Sequence, residues 1–319
     1  MASRRCCLIA RVEQILETLA PLALLIGLGS VLAHIRFLGE PFIADLNKLA
    51  FWIALPALIF TSASTGSGSA GSVWQIFGVM AVATMLIVLI AWAASYALGM
   101  PANVRGTLAQ SAFRGNLAYI GVPVLANSFG ASSPQLAAGI IAMVLTMAIY
   151  NIAAVIVLQA SQHSITKVSK RRMVRTIATN PLLLAGVLGL VVPLLHIKLP
   201  LFLDRTLQLL GSAAVPIALL CIGGSLVIVP MRGKQTWIVT AALLKIAVLP
   251  VIVYFLGRFA GFDVATMRIA LVFAACPTAA ASFVMARQMG GDEALASGSI
   301  ALSTLLSALS LSAALWLAR

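Results

Sequence analysis

The chain has 319 residues, 61% of them hydrophobic and only 9% charged, with a formal net charge of +13 and a mean hydropathy of +1.07. A soluble domain carries roughly 25% charged residues, so this composition excludes an ordinary soluble protein and leaves no room for a soluble catalytic domain. The positive charge does not point to nucleic acid, because most Lys and Arg fall in short loops between apolar stretches, where orientation signals belong.

Ten hydrophobic spans are predicted, at roughly 15–33, 41–62, 73–98, 104–129, 134–159, 180–196, 201–229, 235–258, 264–289 and 293–317. A helix needs ~20 mostly apolar residues to cross the hydrocarbon layer. Length and flat hydrophobicity favour helices, since an open sheet cannot satisfy its backbone in lipid, and the alternation of a membrane barrel is absent. Met1 to Arg11 is basic but runs into the first span without a clear small-residue cleavage site, so no cleavable signal peptide is expected. Thr65 to Ser72 is a Gly/Ser loop whose Gly66 to Gly71 fits G-x-G-x-x-G by letter. A dinucleotide site needs a strand before that motif and a βαβ unit around it. Membrane spans flank it here, so it reads as a loop.

The longest polar segment, Ser161 to Asn180, carries Lys167, Lys170, Arg171, Arg172 and Arg175. It divides the chain into a first five-span unit (12–159), a basic linker (160–179) and a second five-span unit (180–317). The positive-inside rule puts the linker in the cytoplasm and the N-terminus outside, in a multi-pass protein of the inner or plasma membrane. Counted near span ends, eleven Lys and Arg share the linker's side and eight lie opposite, Arg4, Arg5 and Arg11 among the latter.

The two halves repeat at an offset of 160: Pro21 matches Pro181, Gly29 matches Gly189, Pro56 matches Pro216 and Gly130 matches Gly290. Five spans is an odd number, so the second half must enter the membrane in the opposite direction. An inverted repeat marks a secondary transporter with its site near the midplane.

The fourth span is unusually polar in its middle. Gly115, Gly121 and Pro123 weaken the helix where Arg114 and Asn116 lie, and Pro123 deprives a carbonyl near Tyr119 of its partner. The ninth span is expected to break near Cys276-Pro277-Thr278, freeing a carbonyl near Phe273. A uniform shift sets Asn116 opposite Cys276. Broken helices at membrane depth survive only when buried in protein or lining a wet cavity, and a matched pair is the best pointer to a transport site. Their half-helix N-termini suit a carboxylate. The alternative is two proline kinks that only shape packing. The candidate substrate-binding residues are therefore Asn116, Arg114, Gly115, Pro123, Cys276, Pro277 and Thr278.

Lys245 sits near the centre of the eighth span, about ten residues or ~15 Å of helix rise from either end. An ionisable residue at that depth is expensive and a functional candidate. It can compensate the half-helix carbonyl ends, act as counter-ion to an anion, or be an uncharged packing lysine. Arg114 lies about as deep and keeps its charge, so it needs an acceptor: a substrate carboxylate or the freed carbonyls. The eight acidic residues all lie at or near span ends. Basic and amide groups without a midplane acid favour an anionic cargo. Asp45 and Asp204 read as helix-start residues. No two of the three histidines have ligand spacing, the four cysteines form no metal or disulfide pattern, and neither metal nor cofactor is expected.

These residues resemble the auxin efflux carrier family, whose bacterial members include malonate and related permeases. The resemblance rests on Leu46-Asn47-Lys48-Leu49 with Ala54-Leu55-Pro56-Ala57-Leu58, on Arg114-Gly115-Asn116-Leu117-Ala118-Tyr119-Ile120-Gly121-Val122-Pro123, and on Asn180-Pro181. It extends through Val215-Pro216-Ile217-Ala218-Leu219, Gly223-Gly224-Ser225-Leu226, Leu244-Lys245 with Pro250, and Pro277-Thr278-Ala279-Ala280. It implies an all-α membrane protein of ten transmembrane helices in two inverted five-helix repeats, with crossed broken helices 4 and 9, similar to sodium/bile-acid symporters and sodium/proton antiporters. It further implies a scaffold and a moving transport unit, an organic-anion substrate, and a role for Asn116 at the substrate carboxylate. Cys276 stands at the symmetric point instead of a second amide.

The expected function is secondary transport of a small organic anion, a mono- or dicarboxylate such as malonate or an auxin-like acid, by elevator-type alternating access, without enzymatic activity. The expected partners are this anion and the lipid bilayer, with no nucleic acid and with homodimerisation left open. The rivals are a cation/proton or sodium-coupled exchanger of the same fold and an anion sensor that moves nothing.

Overall fold

The computed structural model describes residues 2–64, 70–130, 133–162, 179–197, 199–228 and 233–318. The basic residues Lys167 to Arg175 of the linker and the loop tip Gly66 to Ser69 lie outside the described residues. Within them every regular element is helical: α1 (Ala2–His34), α2 (Glu40–Leu49), α3 (Leu55–Ser64), α4 (Ala70–Ala97), α5 (Ala102–Phe113), α6 (Val122–Phe129), α7 (Pro134–Ala160), α8 (Pro181–Leu194), α9 (Leu201–Ser212), α10 (Ala214–Ile228), α11 (Gln235–Leu243), α12 (Leu249–Phe259), α13 (Val264–Ala275), α14 (Ala281–Gln288) and α15 (Glu293–Leu317). Seven stretches are long and apolar enough to cross a membrane: Ile15–His34, Glu40–Ser64, Gly71–Ala97, Pro134–Ala160, Leu201–Val227, Gln235–Phe259 and Glu293–Leu317. Of the other three predicted spans, the sixth is the shorter single helix α8. The fourth and ninth are interrupted, at residues 114–116 and 276–280. Large apolar side chains such as Leu89, Phe202 and Leu209 are exposed, as a lipid-facing surface requires.

Prolines explain the irregular turns. Three π-helical turns, Ala50–Ala54, Leu117–Gly121 and Leu244–Val248, each end two residues before a proline: Pro56, Pro123 and Pro250. Proline offers no N–H, and its ring crowds the carbonyl four residues back. Widening the preceding turn by one residue relieves that crowding without ending the helix.

Polar residues set several helix starts. Ser133, Asn180, Asp263 and Asp292 each accept a hydrogen bond from a backbone N–H in the first turn of the helix they precede. Asp45 and Asp204 do not play this part. Their helices begin earlier, at Glu40 and Leu201, and the two carboxylates bond within their own helices to Lys48 and Gln208.

The helices sort into two packing groups. One contains α1, α2, α3, α8, α9 and α10. The other is built around α4, α5, α7, α11, α12, α13 and α15. Within the first group, glycines let backbones touch. A Cβ on Gly29 would overlap the Leu220 carbonyl oxygen, and one on Gly189 would lie 2.7 Å from the Phe60 carbonyl oxygen. Gly29 and Gly189 stand 160 residues apart, and so do Phe60 and Leu220. The same contact is thus made twice, with partners exchanged. Left-handed residues recur in pairs as well: Arg36 (φ 59°) with His196 (φ 51°), Gly99 (φ 58°) with Gly261 (φ 70°), and Gly130 (φ 92°) with Gly290 (φ 71°).

Candidate functional site

The two breaks meet. Beyond Phe113 the chain turns extended at Arg114 (φ −73°, ψ 94°), and beyond Ala275 it does so at Cys276 (φ −55°, ψ 141°). Gly115 and Thr278 then pair as an isolated antiparallel bridge. The Asn116 N–H donates to the Pro277 carbonyl at 2.8 Å, and the Ala279 N–H donates to the Arg114 carbonyl at 2.9 Å. Each break thereby satisfies backbone groups that the other leaves open, which is the condition for irregular backbone at membrane depth.

Only a small residue fits this crossing. A Cβ on Gly115 would stand 3.2 Å from the Phe273 carbonyl oxygen and 3.3 Å from Lys245 Nζ. Lys245 is fully buried, and its Nζ donates to the Ala274 carbonyl at 2.6 Å, one residue before the end of α13. The lysine amine therefore sits at the carbonyl end of a half-helix, the negative end of its dipole.

Beside the crossing lies a cavity of about 50 Å³, room for several waters or a compact anionic head. Asn116 and Ala280 line it from the two breaks, Ile222, Ser225 and Leu226 from α10, and Ile300, Ala301 and Thr304 from α15. Asn116 and Ala280 are the residues preceding the two downstream half-helices, so both half-helix starts open on this space. Since α10 belongs to one packing group and α15 with the crossing to the other, the cavity lies on the seam between them. The Asn116 backbone (φ −80°, ψ 64°) is bonded on both sides, to Pro277 and to Ile120, while its side-chain amide has no hydrogen-bond partner among the described residues. Ser225 and Thr304 donate to carbonyls of their own helices and offer lone pairs.

The other expected site residues are near but not in the cavity. Arg114 is buried and turns away: Nη2 donates to Asn151 Oδ1 of α7 at 2.7 Å, and Nη1 meets Met285 Sδ of α14 at 2.7 Å. Its acceptors are neither of those expected from the sequence. Thr278 is buried, donating from Oγ1 to the Ser111 carbonyl and from its N–H to the Ser303 hydroxyl oxygen. Pro277 contributes its carbonyl to the crossing. Cys276 is fully buried and close to Gly121, and Pro123 is buried at the start of α6. The uniform shift also needs correction. The equal-length helices α5 and α13 end at Phe113 and Ala275, an offset of 162, so the counterpart of Asn116 is Thr278 rather than Cys276. Ser225, Ala280 and Thr304 escaped notice as lining residues. Ser225 and Ala280 were visible only as parts of the motifs carrying the family resemblance, and Ser303-Thr304 as a polar pair within an apolar span.

Apolar spans, two of them broken and joined beside a cavity, define a multi-pass helical membrane protein. The family model described as membrane transport protein matches residues 14–316, and the chain belongs to that family, the auxin efflux carrier family. It is 32% identical over 146 residues to a Rhizobium meliloti protein named "Putative malonate transporter", a match that spans 46% of each chain. It is also similar to two proteins named uncharacterized transporter: 25% identical to one from Methanocaldococcus jannaschii, covering 85% of this chain and 87% of that one, and 26% identical to one from Methanothermobacter thermautotrophicus, covering 92% and 95%.

Proposed function

We propose that this membrane transporter is a secondary carrier of a small organic anion, a mono- or dicarboxylate, working by alternating access. One observation carries the reading. Asn116, whose amide has no partner among the described residues, lines a cavity where two half-helix starts meet, at the seam between two packing groups. Positive dipole ends and a free amide donor suit a carboxylate. Lys245 and Arg114 are buried close behind, and no acidic residue lies in the middle of a span. Lys245 then compensates the carbonyl end of α13, so that no metal cation is needed there. The malonate in the name of the Rhizobium meliloti relative makes malonate the first dicarboxylate to try.

In this reading the chain is two five-span repeats of opposite orientation. The exchanged glycine contacts at Gly29 and Gly189 and the paired left-handed residues support it, since a twofold relation makes each contact twice. The group containing α1, α2, α3, α8, α9 and α10 is the scaffold, and the group around the crossing moves against it.

A sodium-coupled form is the second reading. Gln110 Oε1, Ser111 Oγ and Ser282 Oγ are buried without a hydrogen-bond partner among the described residues, and neutral oxygens are what a sodium ion takes. Thermal shift of the purified protein tests both, because a ligand that binds only the folded state raises the melting temperature. The panel is malonate, acetate, lactate, indole-3-acetate, chloride, sodium and a pH series. Stabilisation by a carboxylate, absent in Asn116→Ala, is the expected result. Stabilisation by sodium or pH alone would overturn the anion reading in favour of cation exchange.

A further inference from the structure

We infer that Arg114 serves the anion without touching it: its buried charge is deliberately left without a carboxylate, because Asn151 occupies the place where an aspartate would neutralise it. This rests on the anion reading above. A guanidinium cannot shed its charge, and burying it unpaired is costly. Its contacts are nonetheless an amide oxygen and a thioether, both neutral, from Asn151 and Met285. Asn151 is itself buried, and its Oδ1 stands 2.7 Å from Nη2, where an aspartate oxygen of the same shape would fit. The ion pairs of Lys48 with Asp45 and of Arg287 with Glu293 do not involve Arg114.

The consequence falls on Asn116, two residues further along. With an amide at 151 the geometry of the break is held and the positive charge stays uncompensated. An anion entering the Asn116 cavity then supplies the missing negative charge across a poorly screened interior. An aspartate would hold the same geometry and cancel the field. Arg114 is thus a positioning residue for the crossing through its backbone carbonyl, and a source of anion preference through its charge.

The test is Asn151→Asp, which changes charge and almost nothing else. Purified wild type and variant are titrated with malonate and with acetate, and both are melted. The expected result is a melting temperature equal to or above that of wild type, with carboxylate affinity reduced about tenfold or more. The loss should be larger for malonate, which carries two charges, than for acetate. That dependence on ligand charge is one a purely structural role would not produce. Should Asn151→Asp not purify folded, Met285→Glu places the carboxylate on Nη1, with the same expectation. Unchanged carboxylate affinity in a folded variant would overturn the inference while leaving the anion reading in place. A wild type that binds neither malonate nor acetate removes both.

Discussion

The two broken spans have the same upstream design and different contents. Each begins with a twelve-residue helix, α5 or α13, and each turns extended at the crossing. The fourth span resumes its helix at Leu117, directly after Asn116, while the ninth resumes at Ala281. Asn116, just ahead of the π turn Leu117–Gly121, lines the cavity, and its side-chain amide has no hydrogen-bond partner among the described residues. In the ninth span the equivalent Thr278 is spent on structure: its hydroxyl and N–H are bonded to Ser111 and Ser303. The crossing is built alike in both spans, and the side chains at its centre differ in what they bond.

Substitutions can break this contrast at several depths. Asn116→Ala should abolish saturable carboxylate binding and leave the melting temperature of the empty protein little changed, since the amide bonds to no described residue; a titration beside a melt checks both. Lys245→Ala removes the amine from the Ala274 carbonyl and leaves that acceptor buried, at about 1–3 kcal/mol. Transport in liposomes should fall more than the yield of folded protein, and an equal fall would make Lys245 a packing residue. Gly115→Ala forces a methyl against the Phe273 carbonyl and Lys245 Nζ, with an expected cost of about 1–3 kcal/mol read as a lower melting temperature. Thr278→Val should show the smallest effect. It deletes the bond to the Ser111 carbonyl, worth about 1 kcal/mol, and should leave carboxylate affinity within about twofold of wild type.

Much of this was legible because proline and glycine have few structural uses inside a membrane helix. Gly115 and Pro277 stand in the breaks, Gly29 and Gly189 mark close backbone approaches, and Lys245, deep in its span, is buried against the Ala274 carbonyl. The register at the crossing was not legible. Pro and Gly matches outside the breaks keep an offset of 160, whereas α5 and α13, with Gly99 and Gly261 before them, keep 162. A uniform shift cannot follow a local change in length, so it pointed to Cys276. Asn151 was hidden for another reason: a single amide in the long apolar helix α7 carries no pattern, and its meaning comes only from the guanidinium that the fold brings to it. The direction of Arg114 was equally out of reach, because side-chain aim at a break depends on backbone angles that no periodicity encodes.

The most direct test of the central claim is a carboxylate-binding titration of three purified proteins: wild type, Asn116→Ala and Thr278→Val. Saturable binding in wild type and Thr278→Val, with none in Asn116→Ala, is the predicted result. Equal affinity in wild type and Asn116→Ala, or loss in Thr278→Val alone, would contradict it and move recognition away from the fourth span.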